Sequence, residues 1–301
     1  MWKWSDFVDG GVIPIELTRE RPILALYGEY QVGKSTFLNC LLGHYIALAG
    51  KGLSTTSLVS RYRYGQDNTL RYRTKPDSPF EGELKVTTID EVRKKTFLDQ
   101  VDMSSGFHLE VETPVELLRS CDIVDTPGYN ASERDNLTAI NTLGHIHYIL
   151  FVIQNRGLSQ LERELILKLF RMDIPFSIIM NCSIGRREER WIPEHEINQN
   201  FLDECENWLS AMKIQPMPIA GKKVFICNVL FYWSQMPDFV SSMPDIDRPD
   251  TVQKHILQTL KEEGYQADRE TILELSGVRR LVQALSERID RYDPVTHKWE
   301  I

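Results

Sequence analysis

Long apolar runs are missing from this chain of 301 residues, and so is any surplus of positive charge. No stretch approaches the roughly 20 apolar residues that a membrane-spanning helix requires, and no signal-like segment opens the chain. Lysine and arginine number 35 against 43 aspartates and glutamates, a net charge of −8. That balance argues against a surface that wraps nucleic acid. Cysteine is scarce as well. Cys40, Cys121, Cys182, Cys205 and Cys227 are odd in number and scattered, with no C-x-x-C pair. They read as small buried hydrophobes in a reducing compartment, which argues against a disulfide scaffold or a cysteine-held metal. The expected address is the cytoplasm. The rest is ordinary for a globular protein, with 42% hydrophobic and 26% charged residues.

What is present is organised around Gly28-Glu29-Tyr30-Gln31-Val32-Gly33-Lys34-Ser35-Thr36, which fits G-x-x-x-x-G-K-[ST]. The apolar run Ile23–Tyr27 leads in as a buried strand, and Phe37–Gly43 leads out with helical spacing and a closing glycine. Strand, glycine loop and helix form the context of a phosphate-binding loop. Glycines let backbone N–H groups close around a polyphosphate, and the helix N-terminus adds partial positive charge. Lys34 then reaches the β/γ-phosphates, and the Ser35 hydroxyl can ligate Mg²⁺. A nucleoside triphosphate is the expected ligand.

A second motif lies about ninety residues on, where the apolar strand Ile123-Val124-Asp125 runs into Thr126-Pro127-Gly128. A D-x-x-G at a strand end can hold a metal's outer sphere with its Asp and sense a γ-phosphate with its glycine N–H.

Elsewhere the chain alternates apolar strands with helical spacing. Strands are expected at 148–153, 176–181 and 224–228. Helices are expected at 133–143, 159–170 (opened by the capping box Ser159…Glu162), 198–212, 252–263, 269–275 and 278–292. Thr88…Glu91 is a further capping box, opening a helix to about Leu98. Such alternation implies a parallel sheet covered on both faces. Residues 58–65 and 70–73 read as an edge hairpin. Their Arg/Tyr alternation fits a single-stranded nucleic-acid platform in form, but the acidic whole favours a solvated strand face. Three prolines between Met236 and Asp250 mark an irregular insertion, 235–250. The aromatic stretch Met1–Val8 reads as an arm packed on its own domain, with membrane contact left open.

Phosphate loop, hydroxyl-rich Ser54-Thr55-Thr56 and Asp125-Thr126-Pro127-Gly128, in this order, resemble the dynamin-like branch of the large P-loop GTPases. Gly33–Gly43, 54–65, 147–153, 157–169 and Ser276–Leu281 are similar to that branch's corresponding segments. The resemblance implies an α/β fold: a three-layer P-loop NTPase G domain with a mainly parallel central sheet and additional C-terminal helices. It would run over 20–292, between an N-terminal arm (1–19) and a C-terminal tail (293–301). It implies GTP or GDP as ligand, with Mg²⁺. Carried over, Lys34 binds phosphates and Ser35 holds Mg²⁺. Thr55 or Thr56, with Thr56 preferred, closes over the metal and γ-phosphate. Asp125 sits in the metal's outer sphere, and the Gly128 N–H contacts the γ-phosphate.

Tyr129 stands where Ras-like enzymes carry a water-orienting Gln. Dynamin-like enzymes also lack that Gln and rely on phosphate-loop side chains and G-domain dimerisation. Gln31 therefore either positions a water or meets a second subunit, or else faces solvent. The base-reading motif departs from [NT]-K-x-D: the matching strand ends Asn181-Cys182-Ser183-Ile184, without Lys or Asp. That weakens the expected preference for guanine and keeps ATP open. Asn181, Cys182, an Asp or Glu of the following loop and backbone near Asn228 are the candidate base contacts. Arg186, Arg187 and Arg190 lie just beyond and could stack on a base or reach across a dimer, but a solvated helix start is the favoured reading. The expected activity is Mg²⁺-dependent GTP hydrolysis, stimulated by a homodimer formed through the nucleotide face. The alternatives are a nucleotide-gated module that binds a separate effector with little hydrolysis, and an ATP-selective NTPase. No long helical stalk follows the last predicted helix, so membrane remodelling is not expected of this chain.

Overall fold

A computed structural model describes residues 21–44, 46–47, 58–75, 84–92, 97, 99–103, 107–129, 138–140, 142–182, 197–236, 249–262, 264–296 and 298–299. At its centre is β1 (Ile23–Tyr27), five apolar residues buried throughout. Such a run, without polar alternation, suits a strand covered on both faces. Its parallel neighbours are β6 (Asp122–Asp125) and β7 (Tyr148–Gln154), and β8 (Phe176–Asn181) and β9 (Val224–Cys227) continue the parallel side outward. The other side is mixed. β2 (Ser60–Tyr64) is antiparallel to β6 and parallel to β5 (Leu109–Thr113). β3 (Thr69–Arg73) runs antiparallel to both β5 and β4 (Leu84–Thr87). The described strands give the order β4-β3-β5-β2-β6-β1-β7-β8-β9.

Strand side chains alternate between two apolar layers. On β1, Leu24 and Leu26 enter the first, together with α1 (Lys34–Leu42), α5 (Val229–Ser234) and α8 (Val278–Ile289). Ile23, Ala25 and Tyr27 enter the second, with α3 (Gln160–Arg171) and α4 (Ile197–Ala211). The result is a three-layer α/β fold with a mainly parallel sheet, as expected. A satellite cluster of Phe231, Ile256, Leu260 and Ile272 ties α5 to α6 (Pro249–Glu262) and α7 (Arg269–Leu275).

Local signals held where they were strong. The Ser159–Glu162 capping box is complete at α3, with both reciprocal bonds made. Thr88 accepts from Glu91 N at the start of α2 (Ile89–Val92). The expected extension of that helix to Leu98, most of the helix at 133–143 and most of the insertion at 235–250 fall outside the described residues.

The hairpin reading of 58–65 and 70–73 is corrected. β2 and β3 do not pair with each other, because β5 lies between them and bonds to both. The short connection crosses the end of β5, where Gly65 N donates to Thr113 O at 3.1 Å. The approach is so close that a Cβ on Gly65 would stand 2.6 Å from Glu112 Cβ. Neither strand is a solvated face or an edge. Arg61, Tyr62 and Tyr72 are buried, and Arg61 donates twice to the buried Asp122 carboxylate. β4, α5 and a hairpin of β10 (Tyr292–Asp293) and β11 (Lys298–Trp299) were not foreseen. That hairpin brings Trp299 onto the sheet, its Nε1 donating to His147 O at 3.1 Å.

Candidate nucleotide-binding site

The carboxyl ends of the parallel strands β6, β1, β8 and β9 meet on one edge of the sheet. Connections leave in opposite directions on either side of β1, which makes its carboxyl end the crevice where open α/β sheets take ligands. The phosphate-loop candidates all lie there. Residues 28–33 turn from β1 into α1, and the turn demands glycine at both ends. Gly28 has φ +153°, and a Cβ there would lie 2.3 Å from Val152 O. Gly33 has φ +90°, and its Cβ would lie 2.7 Å from the Asn181 amide nitrogen. Gln31, exposed at the tip, adopts φ +65° without being glycine. Its carbonyl accepts from Gln154 Nε2 at 3.1 Å, which helps hold that conformation. Val32 is buried and Tyr30 is exposed. Ser35 and Thr36 follow Lys34 in the first turn of α1.

Lys34 folds back over the loop. Its Nζ donates to Gly28 O at 3.2 Å and Glu29 O at 2.9 Å. Burial pulls the ammonium from its ordinary 10.5 down to about 8, against the opposing pull of Asp125 and Glu29. An ammonium desolvated in this way gains most from an incoming anion.

Ser35 Oγ donates to Asp125 Oδ2 at 2.6 Å, joining the two motifs directly. Burial raises the Asp125 carboxyl above its usual range, with the Ser35 hydrogen bond and the Lys34 charge pulling the other way. Its second oxygen, Oδ1, is buried with no hydrogen-bond partner among the described residues. A hydroxyl beside a carboxylate with one unsatisfied oxygen is a donor set that fits Mg²⁺, a hard cation that takes oxygen ligands and retains water.

The D-x-x-G segment lies against the phosphate loop. Tyr30 N donates to Tyr129 O at 2.8 Å, and Tyr129 N donates to Gly28 O at 3.1 Å. A Cβ on Gly128 would stand 2.5 Å from Tyr30 Cα, so only glycine permits this approach. Thr126 Oγ1 donates to Leu26 O at 2.7 Å and anchors the turn.

The base-side candidates are placed differently. Asn181, fully buried at the end of β8, donates from Nδ2 to Val32 O at 3.0 Å, and its Oδ1 faces Val229 N at 3.5 Å. Both ends of its amide therefore engage the protein, and one of them braces the phosphate loop. Cys182 N donates to Cys227 O at 2.8 Å. Asn228 caps α5 by accepting from Phe231 N, and its own N–H donates to Ser276 O. Thr55, Thr56, Arg186, Arg187 and Arg190 lie outside the described residues.

Motif reading missed the side-chain ties of Glu29. Its carboxylate bonds to Arg156 Nη2 at 2.7 Å and accepts from Ser159 Oγ, linking the phosphate loop to the start of α3. The sequence signal available was the capping box, which marked Ser159 for a helix end but not for the loop.

A family model described as the dynamin family matches residues 24–181, just over half of the chain. Dynamin-like protein 2 of Campylobacter jejuni is 31% identical over 137 residues, 44% of this chain and 21% of that protein. A bacterial dynamin-like protein of Nostoc punctiforme is 31% identical over 144 residues, 44% of this chain and 20% of that protein. The chain thus spans about a fifth of the length of these curated relatives. A solved structure described as an oligomerised bacterial dynamin pair overlays with TM-score 0.44 and 17% identity, over 81% of this chain and 37% of that one. A probable GTP-binding protein, EngB, overlays with TM-score 0.37 and 12% identity, over 80% of this chain and 99% of that one. Both overlays are loose, and the fold assignment rests on the strand order and layers above.

Proposed function

The chain belongs to the dynamin family, and from that premise we propose that it binds GTP with Mg²⁺ and hydrolyses it to GDP and inorganic phosphate. The carrying observation is the pairing of a buried Lys34 with a Ser35–Asp125 couple whose Asp125 Oδ1 has no hydrogen-bond partner among the described residues. That arrangement has one cation for the phosphates and one oxygen set for a metal, side by side. Further support comes from the glycine-only approach of Gly128 to the loop.

In this reading the loop backbone and Lys34 hold the β- and γ-phosphates in place, and the Gly128 N–H meets the γ-phosphate. Ser35, Asp125 and a switch threonine, Thr56, would hold Mg²⁺. When bound, the metal neutralises charge that builds on the phosphate oxygens. Thr55 is the alternative to Thr56. Water attacks in line with the leaving diphosphate, and Lys34 stabilises the developing negative charge. Gln31, exposed at the loop tip, either orients that water or reaches a second copy docked on the nucleotide face.

No Gln follows the D-x-x-G segment, so the monomer turns over slowly and specific activity rises with protein concentration. Phosphate release from GTP, measured over a hundredfold range of concentration, tests both parts. Hydrolysis lost in Lys34→Ala supports the assignment; hydrolysis unaffected by that change refutes it. Flat specific activity refutes the dimer. The cytoplasm remains the proposed location; among the described residues no helix is long and apolar enough to cross a membrane.

One observation favours a second reading. The Asn181 amide is engaged in bracing the loop, and no Lys or Asp follows it to read guanine N–H groups. An ATP-selective NTPase is therefore the proposed alternative. A nucleotide-gated module that docks a separate effector is the other, and it would retain the triphosphate for hours in a single-turnover assay.

A further inference from the structure

A carboxylate on a phosphate-binding loop is electrostatically misplaced, because it repels the ligand the loop is shaped to hold. Glu29 is the second residue of this loop. Its backbone oxygen accepts from Lys34 Nζ at 2.9 Å, and its carboxylate charge acts on the same ammonium meant for the phosphates. The Glu29 side chain is mostly buried, with 15% of its surface exposed. Solvent screens it in part, because its partner Arg156 is 38% exposed.

The structure supplies a counter-charge. Arg156, in the turn between β7 and α3, places Nη2 2.7 Å from Glu29 Oε2 and 3.5 Å from Glu162 Oε1. Its Nε donates to Gln154 Oε1 at 3.2 Å, and Gln154 in turn donates to the Gln31 carbonyl. Ser159 Oγ donates to the other Glu29 oxygen, while Ser159 accepts from Glu162 N to cap α3. Glu162 is itself fully buried and is committed to that cap. One guanidinium thus stands between two carboxylates, bonding Glu29 directly and bearing through Gln154 on Gln31, the loop residue held at φ +65°.

We propose that Arg156 is a positioning residue of the nucleotide site that cancels the Glu29 charge and turns that carboxylate away from the phosphates. The inference rests on the nucleotide reading above and adds to it a residue outside all of its motifs. Removing Arg156 takes one positive charge from between these two carboxylates and shifts the net charge near the phosphates by −1, which at the effective dielectric of a protein surface weakens phosphate binding by about tenfold.

The test is binding of a fluorescent GDP to the full chain, with melting without nucleotide recorded for each variant. Arg156→Ala is expected to bind about tenfold more weakly at low salt, with the loss shrinking as salt rises. Glu29→Gln combined with Arg156→Ala is expected to recover most of the affinity, because the offending charge is gone. Arg156→Lys is expected to lie between wild type and Arg156→Ala. If the double variant binds as weakly as Arg156→Ala, or if Arg156→Ala binds like wild type, the proposal is overturned. Should Arg156→Ala fail to fold, the double variant is compared with wild type: affinity near that of wild type upholds the proposal, and a loss of about tenfold or more overturns it. Wild type that binds no nucleotide would refute the nucleotide reading itself, a result distinct from either of these.

Discussion

Replacing Asn181 with alanine separates two jobs that one side chain can do at this site. Base reading would make Asn181 matter for guanine against adenine. Bracing would make it matter for the phosphate loop whatever the base. The amide is 1% exposed, donates to Val32 O at 3.0 Å and faces Val229 N at 3.5 Å. Alanine removes the amide and leaves both of its partners, Val32 O and Val229 N, unpaired. A buried polar group left unpaired costs about 1–3 kcal/mol, and the longer contact contributes at the low end. The variant should therefore lose about 3 kcal/mol of stability in urea unfolding. With the brace gone, affinity for GDP and for ADP should fall by the same factor. Two measurements check this, a urea titration without nucleotide and a pair of binding isotherms. Unchanged stability, or a loss confined to GDP, would refute the bracing role and return Asn181 to the base.

Other substitutions probe the remaining parts. Gly28→Ala should cost more than about 3 kcal/mol and abolish nucleotide binding, since strain and a backbone clash add; its Cβ would lie 2.3 Å from Val152 O. Gly43→Ala is the control, with φ +71° but open space around the Cβ, and should cost only about 1 kcal/mol in thermal unfolding. Ser35→Ala should remove the gain in GDP affinity that wild type shows on adding Mg²⁺; a gain that persists would contradict the role of the Ser35–Asp125 pair. Lys34 also sets a pH signature. Burial lowers it from 10.5 to about 8, so between those values the unfolded chain holds a proton that the folded chain has released. Nucleotide-free stability should accordingly rise with pH across that window by at most about 3 kcal/mol, and this slope should vanish in Lys34→Met.

The parts of this molecule legible in the sequence are those where a local pattern has one physical outcome. An apolar run buried on both faces became β1, Gly28 and Gly33 marked backbone that no other residue could adopt, and Ser159 with Glu162 marked the start of α3. The sequence resemblance assigned Ser35 and Asp125 to one metal, but their direct bond follows from the parallel pairing of β1 with β6, which no local pattern reveals. Register between distant segments was not legible either. A short polar turn between two strands normally closes a hairpin, and nothing local to 58–73 shows that Leu109–Thr113 returns to separate them. Side-chain ties across the loop were equally hidden. Asn181 was read for the base because of its motif position, whereas its neighbours turn its amide to the loop. Arg156 belongs to no motif, and only the packing of the β7–α3 turn against Glu29 gives it a role.

The most direct test of a guanine-nucleotide site is calorimetric titration of the chain with GDP and with ADP in Mg²⁺, with Lys34→Ala as control. The account predicts tight GDP binding, much weaker ADP binding and neither in the control. Equal binding, or a preference for ADP, would contradict the guanine assignment, and wild type that binds neither would contradict the nucleotide site altogether.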